Sequence, residues 1–335
     1  MLDDIIYYFT PRVFCALTFL VNPFFVYLIF TEKAAKFGNY RFILLFFATY
    51  NLTFSVFNIV FPMDIHTYRY CFYLMIKDGW FVESTELNFH LLVARCSIVF
   101  ASNAILLTHF VYRYLVIHES NFTKKYFGWY IAASFLIFGL FFGVWYAICY
   151  HLARVNIEIR QYIREDFRET YGTDSKNYNM IGVLFQEGSE ETTFRSWIVI
   201  ILWTSLSVAS LISFIILATL IMCKLKKTAM HVSQATSKFQ FELLRALIVQ
   251  TIVPICISYS PCLLCWYSPM FGVQLPREVN YFEVSALGIF SFVDPLAIIF
   301  CLPPLRKRIL HFWKNMKNSA NIIAPTLPIS NPTNS

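Results

Sequence analysis

Arg113 and Asp294 each place a charge inside a long apolar run, and a charge at the centre of a bilayer costs about 3 kcal/mol or more. Such residues are functional candidates by default. Arg113 closes the stretch His109-Phe110-Val111-Tyr112-Arg113-Tyr114. With Tyr112 and Tyr114 it reads either as a switch that holds or releases the ends of neighbouring helices, or as an arginine reaching lipid headgroups between interfacial tyrosines. In Asp294-Pro295 the proline frees a backbone carbonyl and bends a helix, while the carboxylate needs a partner or a proton. That pair reads as a hinge, or as a structural kink whose aspartate is hydrogen-bonded by a neighbour; Pro254 offers a second kink. Arg95 stands roughly 27 Å along the same helix from Arg113. It could face an acidic ligand or pair with Glu83, Glu86 or Glu283. Asn103, Thr204, Ser205, Ser207, Tyr259 and Trp266 are candidates to line a ligand cavity between the third, fifth and sixth runs, or to make helix–helix hydrogen bonds.

Enzyme chemistry finds no support. The chain has no phosphate-cradling glycine loop, no HExxH and no nucleophile elbow. No lysine lies in the last apolar run, which excludes a retinal Schiff base. The 9 cysteines are scattered, and Cys262-x-x-Cys265 has no second pair. No cofactor, metal or nucleic-acid partner is expected. Of two glycosylation sequons, one (Asn51) falls inside an apolar run and the other (Asn121) on the basic side of the chain.

These side chains need elements to hold them, and the composition says which. Of 335 residues 58% are hydrophobic and only 14% charged, against about 25% charged in soluble domains. A cytosolic globule and a disordered chain are excluded; 9 cysteines are too few for a disulfide scaffold. Seven runs meet the length of about 20 apolar residues that a bilayer demands: about 11–30, 42–61, 91–117, 127–150, 197–223, 246–267 and 281–302. The expected fold is an all-α membrane protein, a seven-transmembrane helix bundle over residues 1–302 with a tail over 303–335. Met1-Leu2-Asp3-Asp4 is acidic where a signal peptide is basic, so the first run is expected to stay. With the N-terminus outside, the inner loops carry 16 Lys and Arg against three acids, the outer side 11 bases against 16 acids. In the outer loop 151–194, Ala153–Phe167 could continue the fourth helix, with Ile157, Gln161 and Arg164 on one face; beyond Tyr171 the chain reads as irregular. After Pro303-Pro304, Leu305, Ile309, Phe312, Trp313 and Met316 share one side of an amphipathic helix over 303–317. It reads as an interfacial helix or as an ordinary juxtamembrane basic patch, followed by a disordered end.

Together these features resemble a G-protein-coupled receptor and, more closely, a nematode serpentine chemoreceptor of the Str/Srj group. The resemblance rests on Asn22-Pro23, Phe37-Gly38-Asn39-Tyr40-Arg41, Ile65-His66-Thr67-Tyr68-Arg69-Tyr70, His109 to Tyr114, and Val293-Asp294-Pro295-Leu296, and covers most of the chain. It implies a sensory-neuron receptor, in the plasma membrane and there in the cilium, that binds a small odorant or water-soluble chemical and activates a heterotrimeric G protein. It implies that Arg113 is the arginine closing helix three and that Asp294-Pro295 stands where rhodopsin-like receptors carry Asn-Pro. On this reading Tyr112, Arg113, Tyr114, Lys226, Lys227, Asp294 and Pro295 serve switching and G-protein coupling, and Arg95, Asn103, Thr204, Ser207, Tyr259 and Trp266 serve ligand binding. The basic inner face suits an acidic partner surface and anionic inner-leaflet lipid. Cys96 lies deeper than the family's usual cysteine at the top of helix three, and pairing among Cys71, Cys96 and Cys149 stays open. The rival reading is a ligand-gated channel or transporter. Insect seven-helix channels have the opposite orientation, and transporters show repeats and glycine-broken helices, whereas this chain has 10 glycines and no repeat.

Overall fold

The computed structural model describes residues 2–31, 37–118, 120–228, 234–256 and 260–311. Seven long helices carry the chain: α1 Leu2–Thr31, α2 Tyr40–Val60, α3 Glu86–His118, α4 Phe127–Ala147, α5 Glu190–Thr228, α6 Gln234–Pro254 and α7 Arg277–Cys301. Among the described residues, five segments, in α1 to α5, are long and apolar enough to cross a membrane. A sixth is added if Gly288–Cys301 is joined to Pro303–His311, from which it is bent by 93°. Within the run 246–267, α6 extends to Pro254 and a helix covers Ser260–Tyr267. By contrast α7 continues through Pro295 to Cys301, so the sharp bend follows Cys301.

In α3, 78% of the most apolar stretch is buried, against 17% in each of α4 and α5. It is the innermost helix, which explains why it is also the one interrupted by Arg95, Ser102, Asn103 and Arg113. A helix enclosed by protein finds partners for polar groups that lipid denies.

One end of the bundle differs from the helical expectation. Residues 63–76, unassigned from sequence, form β1 Met63–Tyr68 and β2 Cys71–Ile76, joined by the two-residue turn Arg69-Tyr70 with Arg69 at φ +49°. The chain beyond Tyr171 is not irregular either, because β3 Met180–Leu184 completes an antiparallel sheet in the order β1-β2-β3. Every residue of β2 is buried. Alternation divides it between two cores: Phe72, Leu74 and Ile76 pack toward the bundle, and Cys71, Tyr73 and Met75 pack with Ile159, Ile163 and Phe167. In β3, Ile181 and Val183 take the first side, Met180 and Leu184 the second. The sheet is therefore a middle layer. Its closest point is Gly182, where any Cβ would lie 2.6 Å from the Phe72 carbonyl oxygen.

The expected continuation of helix four is corrected as well. After α4 come a π turn, Ile148–Leu152, and an extended bridge whose backbone joins β3 (Val155 N to Met180 O 3.3 Å, Gly182 N to Ala153 O 2.9 Å). A new helix starts at Ile157 because the Asn156 side chain caps it, accepting from the Ile159 N–H at 2.9 Å. The buried face of Ile157–Tyr162 and Arg164–Tyr171 is Ile159, Ile163 and Phe167, while Ile157 is 71% exposed. Gly172, at φ +69°, ends the second helix. In Pro303–His311, Leu305 is buried and Ile309 packs against the core formed with α1 and α2, with Arg306 and Lys307 exposed. Phe312, Trp313 and Met316 lie outside the described residues.

Candidate functional site

Where the bundle meets the sheet there is a cavity of about 250 Å³. α3 contributes Cys96, Phe100 and Asn103, α4 with its π turn Trp145 and Cys149, and α5 Trp203, Thr204 and Ser207. Ser260–Tyr267 contributes Trp266 and Tyr267, and the sheet contributes Met63, Ile65, Leu74 and Ile181. Four aromatic rings form a continuous row: Phe100 stacks on Trp145 at 4.3 Å between centroids and Trp145 on Trp203 at 5.5 Å, and Trp266 lies tilted by 37° at 5.3 Å from Trp203. Among the described residues no charged side chain lines the cavity. The Trp203 indole N–H is buried without a hydrogen-bond partner. Thr204 Oγ1 and the Tyr267 hydroxyl meet at 2.5 Å, tying α5 to the Ser260–Tyr267 helix. Such a space suits a small apolar or aromatic molecule held by one or two hydrogen bonds.

Of the residues singled out in the sequence, Asn103, Thr204, Ser207 and Trp266 line this cavity and Arg95 does not. Arg95 is buried, donating to Asn58 Oδ1 with its guanidinium 4.9 Å from the Phe54 ring centre. Glu86, one of its expected partners, instead holds Arg154 at 2.5 and 3.2 Å. Tyr259 lies outside the described residues. Sequence reasoning missed Phe100, Trp145, Trp203, Tyr267 and the strand residues. An aromatic residue in an apolar run carries no polarity signal, although the helical pairs Phe100/Asn103, Trp145/Cys149 and Trp203/Ser207, three or four apart, were there to be found.

At the opposite end of α3, Arg113 is only 5% exposed and its guanidinium lies over the Tyr40 ring at 4.6 Å. Tyr40 also stacks on Tyr112 at 5.6 Å, and its hydroxyl is 3.1 Å from His109 Nδ1. Arg113 Nη2 is buried without a hydrogen-bond partner. Tyr114 is partly buried against Phe110 and Leu225, and Lys226 and Lys227 are exposed at the end of α5. Between the two ends, Ser291 of α7 joins Thr18 of α1 and Ser55 of α2, both at 3.0 Å, and its carbonyl accepts from Asn22 Nδ2 at 3.0 Å. Asn51 donates to Asn22 at 3.4 Å. This polar junction, unforeseen apart from Asn22, lies one turn from Asp294, which is 2% exposed with Oδ1 unpartnered; Pro295 is buried too.

Beyond the sheet, Asp64 accepts from the Tyr171 hydroxyl at 3.0 Å, and His66 Nε2 lies 3.0 Å from Asp166. Burial, opposed by Lys77 and Tyr171, pushes the Asp64 carboxyl up. The Lys176 backbone N–H, with Arg164 and Arg168, holds the exposed Asp174 carboxyl below its ordinary value. Cys71, Cys96 and Cys149 are all free and buried, and Cys71 packs in the core on the other side of the sheet from the other two.

Comparison with known proteins finds one family model, described as the serpentine type 7TM GPCR chemoreceptor Srj, that matches residues 1–309. Serpentine receptor class J-38 of Caenorhabditis elegans is 57% identical over 95% of this chain and 97% of its own length. Serpentine receptor class r-10 of Caenorhabditis briggsae is 21% identical over 91% of this chain and 90% of its own. The G-protein coupled receptor str-33 of Caenorhabditis elegans is likewise 21% identical, over 92% of this chain and 91% of its own.

Proposed function

Since this chain belongs to the Srj family of serpentine seven-transmembrane chemoreceptors, we propose that it detects a small uncharged chemical in the aromatic cavity and activates a heterotrimeric G protein at the far end of the bundle. The observation that carries this reading is the cavity itself, walled by stacked aromatics and by hydroxyl, amide and thiol groups without a charge. A charged ligand would lose its hydration there with no counter-ion to replace it. The family is one of receptors, not of enzymes.

The excess of Lys and Arg on one side supports an orientation with the sheet outside and the ends of α3 and α5 inside the cell. A ligand bridging α3, α5 and the Ser260–Tyr267 helix would favour one of their arrangements over another and shift an existing equilibrium. At the inner end that shift would free Arg113 from Tyr40. With Tyr112, Tyr114 and the exposed Lys226 and Lys227, it would then present a basic surface to the G protein. Asp294 and Pro295, beside the α1–α2–α7 junction, would let α7 follow. Arg306 and Lys307 would meet anionic inner-leaflet lipid. The site of action is the plasma membrane, and within it the sensory cilium.

The test is a paired recording from cells expressing the chain, with G-protein activation and membrane current read together while small volatile and water-soluble compounds are applied, with and without a co-expressed Gα. A response that requires Gα and weakens in Asn103→Leu and Trp266→Ala is expected. A current that persists without Gα would overturn the reading in favour of a channel.

A further inference from the structure

The aromatic cavity reaches the outer surface of the bundle at one flank of α5. Three of its lining side chains, Val208 and Leu211 of α5 and Leu263 of the Ser260–Tyr267 helix, are also 47%, 38% and 38% exposed. Side chains that touch the cavity on one side and the surroundings on the other form a rim. The hydrogen bond between Thr204 and Tyr267 (2.5 Å) closes one end of this gap. One helical turn from it stand Val208 along α5 and Leu263 along the facing helix, and Leu211 follows a turn beyond Val208. Residues 204–211 fall in the half of the apolar run 197–223 nearer the sheet, so hydrocarbon and not water surrounds the rim.

The sheet end of the cavity is covered instead. Met63, Ile65, Leu74 and Ile181 line it there and are all buried. Behind them the opposite faces of β2 and β3 pack on Ile159, Ile163 and Phe167. Two layers must part before a solute passes from water to the cavity by that path. We propose that the ligand is a lipophilic molecule dissolved in the bilayer, and that it enters sideways through the gap between α5 and the Ser260–Tyr267 helix. This rests on the cavity being the ligand site, and it narrows the ligand from an uncharged molecule to a membrane-soluble one. A bilayer enriches such a molecule about fourfold per methylene group, so it supplies the gap at a concentration that water cannot. A charged or strongly hydrated molecule loses its hydration before it reaches the rim.

The probe is bromobenzene, an apolar heavy-atom quencher of tryptophan fluorescence. The full chain is purified in lipid nanodiscs with Trp80, Trp129, Trp197 and Trp313 changed to phenylalanine. The remaining Trp145, Trp203 and Trp266 all line the cavity, so quenching reports its occupancy. Association and dissociation are followed by stopped-flow mixing. Val208→Phe and Leu263→Phe fill the rim with side chains that face lipid, so neither disturbs the core. Each should slow both rates by the same factor, about tenfold if the added ring raises the barrier by about 1.4 kcal/mol. The Kd should barely move, because a barrier on the path leaves its two ends alone. Ile216→Phe, exposed on α5 and away from the cavity, should change neither rate. The rival path is the apolar groove between α4 and α5, which shares Phe100, Ser210 and Phe214 with the cavity and is filled by Ala209→Phe. No quenching in the parent, rates unmoved by both rim variants, or slowing by Ala209→Phe in their place would overturn the proposal. No G protein enters these measurements, so failure of the entry route and failure of the receptor reading are told apart.

Discussion

Gly182→Ala probes the layered end of the molecule at its tightest point. Gly182 pairs with Tyr73 across β2 and β3, and its φ lies outside the left-handed region, so only space is at issue. The new Cβ would lie 2.6 Å from the Phe72 carbonyl oxygen, 3.0 Å from Tyr73 Cβ and 3.1 Å from Val155 Cγ2. Carbon and oxygen settle at about 3.3 Å or more, so β2 and β3 must part locally by about 0.7 Å. A main-chain oxygen cannot swing aside as a side chain does, and the Gly182 N–H bond to Ala153 O (2.9 Å) stretches with the strand. Overpacking of this kind costs about 1–3 kcal/mol. Ile181, the next residue, lines the cavity, so its wall shifts too. The assay is thermal unfolding of the nanodisc-embedded protein followed by tryptophan fluorescence, together with an agonist dose–response. Gly143→Ala in α4 is the control. Nothing lies within 4 Å of its added Cβ, and alanine there gains up to about 1 kcal/mol of helix propensity. Gly182→Ala should melt earlier and respond more weakly, while Gly143→Ala melts at or slightly above the parent temperature. If Gly182→Ala melts with the parent, the sheet is not clamped between two layers and the reasoning fails.

Asp64 governs a pH dependence of the same region. Its carboxyl is pushed above the ordinary 3.8 by burial, so in the window above 3.8 the folded form keeps a proton that the unfolded chain has released, and stability falls as pH rises through it. Asp174 and Glu158, both held low, act in the opposite sense, losing their contribution as pH falls, but they are exposed and weigh little. Asp64→Asn should flatten the fall in melting temperature as pH rises above 3.8, and an unchanged slope would count against it. Arg113→Gln removes the charge and the guanidinium that lies over Tyr40 and leaves a shorter, polar side chain. It should leave ligand binding intact and abolish G-protein activation in a nucleotide-exchange assay, and normal exchange would rule out the switch. Asp294→Asn removes a buried carboxylate oxygen that has no partner. It should raise stability by about 1–3 kcal/mol, seen as a higher melting temperature, and a lower one would mean that the carboxylate has a partner it cannot spare.

Much of the architecture was legible because a bilayer imposes a one-dimensional rule. Every span must be a long apolar run, and the loops between runs keep their charge, so the helices could be read from composition and length. Arg113 and Asp294 were legible for the same reason, since a charge in an apolar run stands out without any structure. Asn103, Thr204, Ser207 and Trp266 stood out as hydrogen-bonding groups in or beside apolar runs, and these four of the six ligand candidates line the cavity. For Arg95 the sequence offered Glu83, Glu86 and Glu283 without ranking them. Glu86 looked equally available in sequence, and only the packing shows that Arg154 takes it.

The sheet was not legible. Cys71–Ile76 is a six-residue apolar run that periodicity cannot assign to strand or helix, and its two faces enter two different cores. Strand pairing across more than a hundred residues leaves no local mark. The same limit hid the row of aromatic rings, whose members come from separate elements. The sequence alone determined which segments can leave water and which charges must be accounted for, because transfer free energy is a property of each residue and its near neighbours. Tertiary structure alone decided what those residues meet, because contacts between distant segments depend on the packing of the whole chain.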